Sequence, residues 1–300
     1  MEHIQGLVSA VHTPFKSDGG LNLSRVADQA ALLAGNGVSH VFVAGTTGEG
    51  MLLSSAERRE LVEEWARCKG GLGLIVHVGH VSLVEARSLS AHAGGLDVDA
   101  IAAMAPPFFA PTGLQELVAW CAEVAAPAAD KPFLFYHIPS LNMSLDAVHY
   151  VERARDHIPT FRGVKYTHHD MMEAARLYDA YGDELDILAG RDEFHLPFLA
   201  LGARGAVGST YNYAGPHYIA MRDAWFAGDH DRARELNAHT ARLVDLLRRA
   251  PEIAVGKAFV RHLGVDVGPT RLPIRNLEPE EEARLVEQAE SLGILGRPLA

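Results

Sequence analysis

Eight short apolar runs, separated by longer segments with helix chemistry, constrain this 300-residue chain more than any other feature. They fall at residues 7–11, 38–44, 73–78, 100–105, 132–136, 163–166, 185–189 and 205–208. Each is apolar on both faces, the pattern of a strand buried on both sides of a parallel sheet. A short buried helix gives a similar pattern, so the spacing carries the argument rather than any single run. The intervening segments hold helix-start signals. Ser54 with Glu57, Ser82 with Glu85 and Thr112 with Gln115 have the Ser/Thr-x-x-Glu/Gln spacing of a capping box. Gly35, Gly37, Gly70, Gly71, Gly94 and Gly95 stand near helix ends, where glycine takes a left-handed cap at little cost. Eight βα alternations predict an α/β chain closed as a (β/α)8 TIM barrel. The structural alternative is an open doubly wound sheet, but no G-x-G-x-x-G follows the first strand.

Strand signals stop near Ala227. Residues 229–249 form a long amphipathic run, and 251–263 and 279–292 read as two more helices. We therefore expect a barrel over 1–228 that carries the active site. A C-terminal helical extension over 229–300 would pack on the barrel or on a neighbouring subunit. Hydrophobic residues make up 48% of the chain, enough for a core without a metal or disulfide staple. A net charge of -11 argues against a nucleic-acid or anionic-membrane partner, since both want clustered Lys and Arg. No run approaches membrane-spanning length, and the first residues lack the basic start and apolar stretch of a signal peptide. Cys68 and Cys121 have no metal-ligand spacing and read as buried or half-buried thiols, which fits a reducing cytoplasm.

In a barrel the chemistry sits at the C-terminal ends of the strands. Here those ends collect glycines and polar groups. Lys165 lies inside an apolar strand, where a charged amine is expensive to bury. On the residues alone two readings stay open. The lysine is paired with a carboxylate or turned outward, or it is a desolvated, neutral amine that attacks a ketone. The segment GTTGEG at 45–50 follows a strand. Thr46, Thr47 and the turn N–H groups would suit a small carboxylate, although an ordinary glycine-rich turn reads the same way. Tyr136 ends the fifth strand, as a half-buried aromatic or as a phenol that shuttles a proton. His77 with His80, and His168 with His169, fit no helix-borne ligand pair, so no metal is expected.

GTTGE, Tyr-x-x-Pro at 136–139 and Gly-Val-Lys-Tyr-Thr at 163–167 together resemble the dihydrodipicolinate synthase / N-acetylneuraminate lyase family of Schiff-base pyruvate aldolases. The resemblance follows nearly the whole chain in order and spacing. The lyase branch is nearest, on YHIP at 136–139, GRDE at 190–193, GAVGSTYN at 205–212, IVHVG at 75–79 and PTRLP at 269–273. It implies retro-aldol cleavage of a 2-keto sugar acid, N-acetylneuraminate foremost, to pyruvate and an aldehyde sugar. It also implies Lys165 as the imine-forming amine, Tyr136 and Thr46 as the proton-handling pair, and Thr47 on the substrate carboxylate. Thr167 and Gly190 would lie near the reacting carbons, and Asp192, Glu193 and Ser209 would face the hydroxyl-rich tail. The same resemblance implies no cofactor beyond the covalent imine, no metal, keto acid and pyruvate as the small-molecule partners, and a homotetramer. Two departures matter. Leu141 stands where the synthase branch places an arginine, which argues against that branch. Phe108 and Phe109 stand where the synthase has tyrosines, so the usual Thr–Tyr–Tyr proton relay is broken.

Overall fold

Alternation along each strand decides what the sheet encloses. Successive side chains on a strand point to opposite faces, so in a closed sheet one set fills the barrel and the other meets the helices. In the computed structural model, which describes residues 3–141 and 145–297, the strands are β1 (Gly6–Ala10), β2 (His40–Val43), β3 (Gly73–His77), β4 (Ala100–Met104), β5 (Phe133–His137), β6 (Phe161–Tyr166), β7 (Asp186–Ala189) and β8 (Gly205–Gly208). They pair in parallel in sequence order, and β8 closes on β1. All eight sequence-derived strands are present, with ends displaced by at most two residues.

The helices between them are α1 (Val26–Gly35), α2 (Ser55–Cys68), α3 (Leu83–Gly94), α4 (Leu114–Ala125), α5 (Ala147–His157), α6 (Met171–Tyr181), α7 (His195–Ala200) and α8 (Tyr211–Phe226). The extension adds α9 (His230–Leu247), α10 (Glu252–His262) and α11 (Pro279–Ser291). Inside the barrel sit Val8, Phe42, Ile75, Ala102, Leu134 and Leu188 among others. The larger outer core lies between sheet and helices. Leu243, Leu247, Val255, Phe259 and Leu285 join it, so the extension shares the barrel's core.

The capping signals divide. Ser54 and Glu57 form the complete reciprocal box at the start of α2. Ser82 accepts from the Glu85 N–H, but the Glu85 carboxylate turns away to the Ser55 hydroxyl at 2.5 Å. Thr112 does not cap α4. Gly113 holds that position with an extended backbone and no side-chain bond. Among the six glycines expected near helix ends, Gly37 and Gly70 adopt positive φ. Gly35 and Gly94 are the last residues of α1 and α3, and Gly71 and Gly95 lie beyond helix ends without a left-handed backbone. Cys121 is buried and Cys68 half-buried, with burial pushing the Cys121 thiol up to about 12.

Candidate active site

Register fixes the direction of Lys165. On β6 the neighbours Val164 and Tyr166 belong to the outer core, so Lys165 projects into the barrel. It pairs with Tyr136 on β5 and Leu188 on β7. Its Nζ lies 3.9 Å from the centre of the Tyr136 ring and 4.4 Å from that of Phe42. The residue is 5% exposed, and among the described residues no carboxylate pairs with it. The outward or ion-paired alternative is therefore absent from the fold. Gly163 makes this close strand packing feasible, since a Cβ there would overlap the Asp186 carbonyl.

Above Lys165 opens a cavity of about 210 Å³. Thr46, Thr47, Tyr136, Lys165, Thr167, Gly190, Asp192, Glu193 and Ser209 all line it, so the structure brings together the nine residues given catalytic or substrate-binding roles by the resemblance. The Thr46 and Tyr136 hydroxyls are hydrogen-bonded at 3.3 Å. The His77 ring meets the Tyr136 ring edge-on at 6.0 Å. Thr167 Oγ1 is buried without a partner among the described residues, and Gly190 leaves it room, because a Cβ at 190 would collide with that oxygen.

Asp192 and Glu193 are adjacent but differently held. Asp192 is buried, and its Oδ2 accepts from the Thr210 N–H at 2.9 Å and from the Ser209 hydroxyl at 3.4 Å. Burial raises its carboxyl to about 6, against the pull of the Thr210 N–H. Gly208 makes space for it, since a Cβ there would overlap Oδ1. Glu193 stands at the rim. Its Oε1 accepts from Arg191 and from Arg248, each at 3.1 Å.

Several lining residues carry no local sequence signal. Arg191 reads as part of a turn, while Val244, Leu247, Arg248 and Glu252 come from α9, α10 and the link between them. The extension thus walls one side of the cavity. Phe108 and Phe109 stack edge-to-face at 4.9 Å, are 79% and 75% exposed, and do not line it. The histidines named above have protein partners, with His80 accepting from the Ser82 N–H at 3.0 Å. His77 is buried against the Arg58 guanidinium, His168 packs on His137, and His169 meets Arg191 at 3.2 Å. Among the described residues no group of three or more His, Cys, Asp and Glu is arranged to hold a metal ion.

Comparison with known proteins places the chain in a family. Residues 3–292 match the dihydrodipicolinate synthetase family. The chain belongs to this family. It is 37% identical over 296 residues to an N-acetylneuraminate lyase of Gallus gallus, covering 96% of both chains. Among solved structures, N-acetylneuraminate lyase of Proteus mirabilis superposes with a TM-score of 0.95 at 36% identity, covering 98% of this chain and 100% of the other. The N-acetylneuraminate lyase (sialic acid aldolase) of Aliivibrio salmonicida gives 0.96 at 35% identity, covering 98% and 99%.

Proposed function

We propose that this chain cleaves N-acetylneuraminate to pyruvate and N-acetylmannosamine through an imine on Lys165. The observation that carries the reading is a buried amine with no carboxylate partner among the described residues at the floor of a polar cavity, in a chain similar over nearly its whole length to proteins that bear the lyase name. The Lys165 amine attacks the C2 ketone and water leaves. The protonated imine then takes up the electron pair of the C3–C4 bond as that bond breaks. Tyr136, hydrogen-bonded to Thr46, relays the C4 hydroxyl proton, accepting it while its own phenol proton passes to C3 of the enamine left as the aldehyde departs. Protonation of enamine C3 and hydrolysis of the imine release pyruvate and restore the lysine.

Thr47 and the N–H groups of its turn hold the C1 carboxylate, facing the ketone toward Lys165. Thr167 and Gly190 border the reacting carbons. Asp192, Glu193 and Ser209 accept from or donate to the tail hydroxyls, and a site built on such bonds rejects analogues lacking them. The imine supplies the electron sink, so the scheme calls on no metal or diffusible cofactor. The relay we draw ends at Thr46, because Phe108 and Phe109 have no hydroxyl to extend it.

We also propose a barrel over 1–228, an extension over 229–300, and a cytoplasmic homotetramer. No helix among the described residues is long and apolar enough to cross a membrane. The exposed Phe108, Phe109 and Leu141 are apolar surface that a second copy could cover.

The test is borohydride trapping with pyruvate, alongside pyruvate release from a panel of keto acids. Wild-type protein should form the reduced adduct and favour N-acetylneuraminate. Lys165→Ala should do neither. A trapped adduct in the variant moves the amine elsewhere, and a preference for 2-keto-3-deoxygluconate reassigns the substrate.

A further inference from the structure

The most deeply buried ion pair among the described residues takes no part in the reaction scheme. Glu49, from the GTTGEG turn, and Lys257, from α10, meet at 2.8 Å with side chains 0% and 2% exposed. Both ends have further partners. Lys257 donates to the Thr13 carbonyl at 3.0 Å and the Pro269 carbonyl at 2.6 Å, and it lies 4.4 Å above the Phe15 ring. The other carboxylate oxygen of Glu49 accepts from the Arg271 N–H at 2.8 Å.

Two features set this pair apart from a stabilising contact. Burial outweighs the attraction of Glu49 and pulls the Lys257 ammonium down to about 8, and ion pairs buried this deeply are weak supports of stability. The backbone it grips is also strained. Glu49 has φ 54 and Ala44, at the other end of the turn, has φ 58. Left-handed backbone is unfavourable for residues with a Cβ and persists only where surrounding structure enforces it. Those two residues bracket Gly45, Thr46, Thr47 and Gly48. The Glu49 N–H donates to the Thr46 carbonyl at 3.0 Å, and the Thr13 hydroxyl donates to the Gly48 carbonyl at 2.6 Å.

We propose that Glu49 and Lys257 are positioning residues, which hold the Thr46–Thr47 turn in the shape that binds the substrate carboxylate. The inference rests on the carboxylate role of that turn given above. The helical extension then sets carboxylate affinity from behind the barrel, through a side chain that never meets substrate. Thr46 also carries the bond to Tyr136, so the same pair aligns the proton-handling hydroxyl.

The experiment compares Lys257→Met, Glu49→Gln and the double variant with wild type by borohydride trapping. One titration uses pyruvate, and a parallel one uses acetone, a ketone without a carboxylate. Trapping by wild type tests the imine reading itself, separately from the variants. Each folded variant should need about ten-fold more pyruvate for half-maximal trapping, the loss of one charge-assisted contact. The maximal trapping rate and the acetone titration should stay within about two-fold of wild type. The double variant should be no worse than the poorer single, because the two residues act as one unit. An unchanged pyruvate requirement would overturn the proposal. An equal loss for acetone would do so too, since it would mean general damage to the barrel mouth. Failure of all three variants to fold would also overturn it, by making the pair a support of the barrel rather than of the turn.

Discussion

Replacing Asp192 by asparagine should make the protein more stable and a poorer enzyme. The Asp192 carboxyl is buried and its proton affinity is raised from an ordinary value of 3.8 to about 6. A raised value means the folded state holds the proton more tightly than the unfolded chain. That advantage is complete below pH 4 and disappears as pH rises through 6, so at pH 8 the fold bears the full cost of a buried charge. The difference of roughly two pH units corresponds to about 3 kcal/mol. The asparagine side chain would keep an oxygen for the Thr210 N–H and carry no charge. For 300 residues the unfolding entropy is about 0.6 kcal/mol per degree, so the variant should melt about 4–5 °C above wild type at pH 8. The gap should close by pH 4. Thermal unfolding followed by circular dichroism across pH 4 to 8 measures it. A gap independent of pH, or a variant that melts lower at pH 8, would refute the reasoning. In the same variant KM for N-acetylneuraminate should rise while pyruvate trapping is unchanged.

Tyr136→Phe removes the hydroxyl bonded to Thr46 and should lower the retro-aldol rate by about 10²–10⁴-fold, with imine trapping retained; stopped-flow kinetics beside borohydride trapping separates the two. Arg248→Met frees Glu193 from one of its two guanidiniums and should raise KM for hydroxyl-rich keto acids several-fold with kcat near wild type. Equal KM for all keto acids would remove Arg248 from tail recognition. Gly208→Ala forces a methyl group against the Asp192 carboxylate and should cost about 1–3 kcal/mol, read as a fall in melting temperature with weakened sugar-acid binding.

The barrel was legible because its strands are buried on both faces. An apolar run such as 100–105 has no competing polar face to blur it, and β4 is buried at all five positions. Capping was legible only where backbone geometry cooperated. Ser54 has the extended conformation a cap requires, whereas the chain at 112–115 starts its helix one residue later, with Gly113 as the cap. The candidate site was legible at the strand ends, where Thr46, Tyr136 and Lys165 line one cavity. The arginines were not, because Arg248 reaches Glu193 from 55 residues along the chain and follows an amphipathic helix where arginine is ordinary. Lys257 is a different case. It interrupts the apolar stretch Val255-Gly256-Lys257-Ala258-Phe259-Val260, the same signal that singled out Lys165. That signal marks a buried amine without telling one beside a cavity from one held by a carboxylate, and only the fold separates them.

The separation has a consequence for how specificity can change in such a site. The groups we propose to react stand on or just beyond β2, β5 and β6, which hydrogen-bond to neighbours on both sides and have little freedom to shift. The far wall of the cavity is α9 and α10, joined to the rim through Arg248 and Glu193. This contact is half-exposed on the arginine side, and an exposed ion pair contributes little to stability. Substitutions at 244, 247, 248 and 252 can therefore reshape the tail end of the cavity at small cost to folding and without moving Lys165. Substitutions at Lys257 cannot, because it is buried against the turn that carries Thr46 and Thr47. One extension thus holds both the most adjustable and the least adjustable contacts of the site, distinguished by whether water reaches them.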